Sequence, residues 1–338
     1  MKGNYFMSAF VYGLFFMLAL PFAVSAQGKK PHIVSYVTSW TKPIPDPNLI
    51  SHINYAFGHV NDTFNGVRVD NPDRLKEIVK LRKKNPDLKI LLSIGGWTSG
   101  KFSEMAADAK SRLGFAKDCQ RIVKEFDLNG IDIDWEYPTS NEAGISSSAD
   151  DTDNFTLLMR DIRKEIGSKK LLTLATIADG RFIDFRAIDK YIDFVNVMMY
   201  DVSKPPLQHN SLYRSDLAGR ITFVEALQAH LDAGVSKNKL VMGIPFYGRG
   251  DKKKVNDFVN FREMPTMTQF QEKWDDVSKV PYLVDETGTL VLTFENEKSI
   301  KEKAKYIKSQ GILGAMYWEF YGDNDELLLS KTLYEGLK

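Results

Sequence analysis

Asn129-Gly-Ile-Asp132-Ile-Asp134-Trp-Glu136-Tyr-Pro138 alternates apolar and acidic residues. Side chains of a strand point in turn to its two faces, so Asp132, Asp134 and Glu136 share one face and Ile131, Ile133 and Trp135 the other. Neighbouring acids start about 6.6 Å apart, at roughly 3.3 Å per residue. An Ile/Ile/Trp row suits packing beneath helices. The three acids then point into the interior of a closed sheet, toward its C-terminal mouth. The bland alternative is a polar edge strand with its acids in solvent; the Ile/Trp face and the following Tyr-Pro argue against it.

Seven other short runs rich in β-branched and aromatic residues flank this one: Ile33–Val37, His52–Phe57, Ile90–Ile94, Leu171–Ile177, Phe194–Tyr200, Leu240–Phe246 and Ile312–Trp318. Between them lie amphipathic, Lys/Glu-rich segments such as Asp73–Lys84, Lys110–Phe126, Asn154–Ile166, Ile221–Ala233 and Lys298–Ser309. Strand-then-helix alternation predicts parallel strands with crossover helices. Eight such units in a chain of this length predict an α/β fold of the (β/α)8 TIM-barrel type. A doubly wound open sheet is the rival, and no Gly-x-Gly-x-x-Gly or Walker-type loop supports it. Asp251–Thr293 is out of pattern and reads as an elaborated loop after strand 7, with a small hairpin, too short for a separate domain. No repeat or low-complexity tract is visible.

The 338 residues carry 45 Lys+Arg against 44 Asp+Glu, a formal charge of +1, which gives no electrostatic reason to expect nucleic acid or a basic membrane patch. The single cysteine, Cys119, excludes an intramolecular disulfide framework and a Cys-based zinc site and reads as a packed helix residue. The five histidines show no HExxH or HxH spacing, which argues against a zinc hydrolase. Lys2, the apolar run Phe10–Val24 and the small-residue end Ser25-Ala26 read as a secretory leader over residues 1–26, cleaved after Ala26, with one domain over 27–338. The competing reading is an uncleaved anchor, but the run holds Pro21 and is short of the ~20 residues a bilayer span needs. The mature chain is expected to be exported, periplasmic or extracellular, without a membrane segment.

Three carboxyls this close in a partly dry site cannot all ionise, so at least one pKa rises. One use is acid catalysis, with Glu136, last on the strand and nearest the mouth, protonating a leaving group. Another is a hard cation such as magnesium or calcium.

The strand strongly resembles glycoside hydrolase family 18, the chitinases and related endo-N-acetylglucosaminidases, whose pattern is Asp-Gly-x-Asp-x-Asp-x-Glu. Gly130, Asp132, Asp134 and Glu136 match; Asn129 departs at the first position, before the acid row. Further matches are Ser93-Ile-Gly95-Gly96-Trp97, Met198-Met-Tyr200-Asp201, Gly243-Ile-Pro-Phe-Tyr247-Gly-Arg249 and Ala315-Met-Tyr-Trp318-Glu319, with Tyr36, Trp40 and Tyr55-Ala-Phe57 on the first two strands. Trp135-Glu136-Tyr137-Pro138 is more similar to the chitinase branch.

The resemblance implies retaining hydrolysis in which the substrate's own 2-acetamido carbonyl is the nucleophile, an exception to the two-carboxylate scheme. It implies catalytic roles for four residues. Glu136 protonates the glycosidic oxygen and then activates water. Asp134 orients the acetamido group and stabilises the oxazolinium charge. Asp132 shares a proton with Asp134, and Tyr200 holds the acetamido oxygen. Trp318 is implied as the hydrophobic floor under the sugar, with Tyr36, Trp97, Asp201, Tyr247 and Arg249 as further sugar contacts. Trp135 reads as core. The partner implied is an N-acetylglucosamine-containing oligo- or polysaccharide, and the protein is expected to be a monomer with no cofactor and no metal. The short insertion predicts a shallow cleft and soluble or partly exposed oligosaccharides. An endo-β-N-acetylglucosaminidase acting on the N-glycan chitobiose core, a non-catalytic oligosaccharide-binding lectin and a metal-dependent barrel hydrolase are the competing readings. The presence of Glu136 argues against the lectin.

Overall fold

The structure is a computed structural model that describes residues 1, 3 and 31–338; all of the expected leader but residues 1 and 3 lies outside the described residues. The chain runs β1 (His32–Thr38), β2 (His52–Val60), β3 (Val67–Val69), α1 (Pro72–Val79), β4 (Lys89–Gly95), α2 (Phe102–Ala107), α3 (Ala109–Glu125), β5 (Gly130–Asp134), α4 (Asp151–Ile166), β6 (Leu171–Ile177), α5 (Phe185–Ile188) and β7 (Phe194–Met198). It continues with α6 (Phe223–Asp232), β8 (Leu240–Pro245), β9 (Tyr247–Gly250), β10 (Phe258–Asn260), β11 (Gln271–Asp275), β12 (Val280–Val284), β13 (Leu290–Thr293), α7 (Glu297–Gln310), β14 (Gly314–Trp318) and α8 (Leu328–Leu337).

The eight apolar runs are the eight parallel strands of a barrel. They pair in the order β1-β14-β8-β7-β6-β5-β4-β2, and β2 pairs back onto β1, which closes the sheet. Strand β3 adds to β2 antiparallel, outside the ring. The crossover helices follow their sequence signals. In α3, Asp108 caps the first turn by accepting from the Ser111 N–H at 2.7 Å. Phe115, Cys119 and Ile122 then recur at helical spacing and are buried against the barrel.

Strand β5 keeps the alternation read from the sequence. Trp135 is buried on the outer side, stacked on Phe102 of α2 at 5.3 Å between ring centroids and 6.1 Å from Phe155 of α4. Removing it empties the helix-facing layer directly behind the acids. Trp135→Ala is expected to cost about 3–5 kcal/mol of stability in denaturant unfolding; a loss below about 1 kcal/mol would contradict this packing role. Asn129 also gains an account: its Oδ1 accepts from the Ile90 N–H at 2.9 Å while its carbonyl accepts from Leu171 N–H at 2.8 Å, so it stitches the start of β5 to both neighbours. That task needs an acceptor oxygen and no charge.

The insertion differs from the expected loop with a small hairpin. Strands β9 to β13 form a five-stranded antiparallel sheet in the order β10-β9-β13-β12-β11, with a small core that includes Val259, Leu283, Val291 and Phe294. It was hidden because β9 follows β8 almost without a break and reads as its continuation, and because Lys252–Lys254 and Asp257 interrupt the apolar pattern. It is no separate domain: residues 31–338 form one compact unit.

Candidate active site

Asp132 sits inside the barrel, fully buried, at the level of four polar side chains from four other strands. Its Oδ2 accepts from the Tyr36 hydroxyl (2.9 Å) and the Ser93 hydroxyl (2.8 Å), and its Oδ1 from the Thr173 hydroxyl (2.5 Å) and the Asn196 amide (3.2 Å). Burial raises its pKa, and these donors pull it back. Four donors occupy both oxygens. No hydrogen bond joins Asp132 to Asp134 among the described residues, although the Asp132 charge acts on Asp134.

Asp134 lies one step nearer the mouth. Its carboxyl is buried, its Oδ1 has no hydrogen-bond partner among the described residues, and its pKa is raised, first by burial and then by Glu136 and Asp132. A buried unpaired acceptor costs about 1–3 kcal/mol, a cost a ligand N–H would relieve. The Gly95-Gly96 pair lets β4 come close to this point: the Gly96 N–H donates to the Asp134 carbonyl at 2.8 Å, and a Cβ on Gly95, at φ 128°, would lie 2.0 Å from that oxygen. Only glycine fits.

Glu136 leaves the end of β5 and enters the open cleft. Burial is the main cause that lifts its carboxyl from 4.5 to about 7; a hydrogen bond from Tyr137 lowers it, and the Asp201 charge raises it. The loop that follows is pinned by a residue the sequence reading missed. Buried Asp151, at the start of α4, accepts from Ser103 hydroxyl (2.7 Å), Thr139 N–H (3.2 Å) and Ser148 N–H (2.7 Å).

Two adjoining cavities meet at Glu136. One, about 260 Å³, is lined by Asp134, Glu136, Tyr200, Asp201, Tyr36, Tyr247, Trp97 and Trp318, together with Trp40, Phe57, Met198 and Phe258. The other, about 520 Å³, is lined by Glu136, Trp97, Tyr137, Tyr200, Asp201, Arg249, Arg181 and Arg220 among others. The structure thus gathers nine of the ten expected site residues around one opening, with Asp132 beneath as their support. A larger cleft of about 690 Å³ lies elsewhere, between the insertion sheet and the start of α7, and holds none of the acid row.

The walls differ. Trp318 stacks on Phe57 (5.6 Å, 20°) and leans on Tyr36 (5.7 Å), and Trp40 follows at 6.4 Å from Phe57, giving an aromatic platform on one side. Burial, then Asp134 and Glu136, push the Tyr200 phenol well up, so it stays a neutral donor. Burial works against the Asp201 carboxylate, but His209, Arg249 and Tyr247 hold it below the usual range. Arg249 bridges Asp201 (3.3 Å) and Asp257 (2.8 Å). Phe258, from β10, lies flat on Tyr247 at 4.3 Å and is 42% exposed. It carried no signal in the sequence, because only the fold of the insertion carries it over the mouth. Phe57, Trp40 and Met198 stood in quoted motifs without being assigned to the site.

The comparisons with known proteins agree with this geometry. The family model Glycosyl hydrolases family 18 matches residues 32–323. Chitinase A1 of Niallia circulans is 32% identical over 80% of this chain and 46% of its own length; Chitinase C of Streptomyces lividans is 31% identical over 88% and 55%. The chain therefore spans about half the length of these curated relatives. Among solved structures, a glycoside hydrolase family 18 N-acetylglucosaminidase from Paenibacillus barengoltzii superposes with a TM-score of 0.81 at 33% identity, over 90% of this chain and 99% of its own.

Proposed function

Because the chain belongs to glycoside hydrolase family 18, we propose that it hydrolyses β-1,4-linked N-acetylglucosamine chains, chitin or chitooligosaccharides, with retention and with Glu136 as general acid and base. The observation that carries the reading is the junction of the two cavities: a carboxyl raised to about 7 stands between an aromatic platform and a second, polar hollow. A scissile bond spanning that junction places its oxygen at Glu136.

The steps follow from the residues. The sugar to be cleaved lies with its C–H face on Trp318. Its 2-acetamido group reaches down to Asp134, whose unpaired oxygen accepts the N–H, while the Tyr200 hydroxyl donates to the acetamido oxygen. The carbonyl is thereby aimed at the anomeric carbon. Pre-positioning an internal nucleophile can supply roughly 7–11 kcal/mol of the barrier in favourable models. Glu136 gives its proton to the departing oxygen. Asp134 faces the positive charge of the cyclised intermediate, and Asp132 and its four donors keep that strand in place. Glu136, now ionised, takes a proton from the water that opens the ring on the same face. Two displacements return the original configuration.

Incubating the protein with chitotetraose and following the anomers by NMR tests the reading: β product appears first and mutarotates later. Initial α product refutes retention. Cleavage of a chitobiose-core N-glycan with chitotetraose left intact moves the substrate to the N-glycan class with the same chemistry. Residues 1–26 act as a cleaved export leader in this proposal, and a mature N-terminus at Gln27 is the expected sequencing result.

A further inference from the structure

We propose that His59 is a positioning residue for the leaving-group half of the cleft, holding the loop that carries Trp97; the inference rests on the hydrolase reading above. The half is identified by the acids. Asp134 and the Trp318 platform line only the smaller cavity, so the sugar that keeps the anomeric carbon lies there. The larger cavity beyond Glu136 takes the departing sugar; Trp97 borders both cavities, and Tyr137, the ring it touches, lines only the larger one.

Trp97 is 55% exposed and touches the rest of the site edge-on through Tyr137, at 6.4 Å between centroids. Its loop has an irregular backbone: Gly96, Thr98 and Lys101 all have positive φ, at 92°, 68° and 74°. Left-handed Thr and Lys residues cost energy and persist only where neighbours hold them. Within the loop, the Ser99 N–H bonds the Gly96 carbonyl at 3.0 Å. The outer support comes from the β2–β3 hairpin. His59, at the end of β2, uses both ring nitrogens: Nδ1 lies 2.8 Å from the Ser99 hydroxyl and Nε2 2.9 Å from Asp70 Oδ2. A carboxylate only accepts, so Nε2 carries a proton toward Asp70, and Nδ1 shares a hydrogen bond with the Ser99 hydroxyl. Asp70 is itself anchored, its N–H on the Phe57 carbonyl at 3.0 Å and its carboxylate paired with Arg68. A Lys101–Asp62 ion pair adds a second, exposed strap from the same hairpin.

The chain Asp70–His59–Ser99 thus transmits the rigidity of a strand pair to a loop that would otherwise be free to swing Trp97 off the departing sugar. Its role is that of a clamp, because the chemistry is already placed at Glu136, where the two cavities meet.

The test compares His59→Leu and Ser99→Ala with the parent on two substrates. Chitotetraose has a sugar leaving group that reaches Trp97; β-chitobiosyl fluoride has a single departing atom that does not. KM for chitotetraose is expected to rise about tenfold, the equivalent of one lost hydrogen bond and its ordering. kcat/KM for the fluoride stays within about twofold, and the double variant is no worse than either single one. Equal losses on both substrates, or none on either, overturn the proposal. A readout independent of turnover is calorimetric binding of chitotetraose in a Glu136→Gln background. A tenfold weaker affinity on adding Ser99→Ala supports the clamp, and unchanged affinity overturns it. Failure of the wild-type chain to cleave either chitotetraose or the fluoride sinks the hydrolase reading and the clamp with it, whereas cleavage of both with unchanged kinetics and affinity in the variants overturns the clamp alone.

Discussion

Glu136→Gln is expected to lower kcat on chitotetraose by about 10³-fold, within the usual 10²–10⁴ range for a general acid–base group, with KM within a few-fold. The amide keeps the shape of the side chain and cannot deliver a proton. The pH dependence fixes the assignment further. The group works as an acid while protonated, and burial holds its carboxyl at about 7 in place of 4.5. Activity on chitotetraose is therefore present below about pH 7 and falls as pH rises through that value. A falling limb centred near 4.5, or activity undiminished in the Gln variant, would remove Glu136 from this role. Fluoride leaves without a proton, so the loss on β-chitobiosyl fluoride should be at least tenfold smaller than on chitotetraose.

Asp134→Asn is the second large effect, and its pattern differs. Asp134 meets charge that develops on the substrate itself, so its loss does not depend on the leaving group. Removing one preorganised electrostatic partner of a developing charge typically costs about 10²–10³ in rate. The expected drop is of that size and equal on chitotetraose and β-chitobiosyl fluoride, with little change in KM. A loss seen with chitotetraose only would mean that Asp134 acts through proton delivery by Glu136 and not on the acetamido group. Because its carboxyl is buried beside Asp132 and Glu136 and raised well above the usual range, the low-pH limb of activity should lie above that of an ordinary aspartate. The Asn variant should lose that limb.

Much of this site was legible in ten letters of sequence. The alternation from Ile131 to Glu136 separates a packing face from an acid face through strand geometry alone, and the structure keeps both: Trp135 on Phe102, Asp132 under Asp134. The eight apolar runs were legible for the same kind of reason, since a strand buried on both sides must be apolar over several residues and stands out from the Lys/Glu-rich helices between. Gly95-Gly96 was read only as a match to the family. The closeness of the Asp134 carbonyl, which forbids any Cβ at Gly95, belongs to the distance between two strands.

Local order determined the barrel, the acid row and the direction each acid faces, because periodicity is a property of neighbouring residues. Tertiary structure alone decided what surrounds those acids. Asp132's donors come from residues 36, 93, 173 and 196, brought to one level by the register of a closed sheet. The value near 7 at Glu136 is set by burial and by Tyr137 and Asp201. Phe258 reaches the mouth only because an insertion folds as a sheet, and His59 meets Ser99 only because a hairpin brackets a loop forty residues on. Burial and long-range pairing depend on where distant segments pack, and no short stretch of sequence encodes that distance.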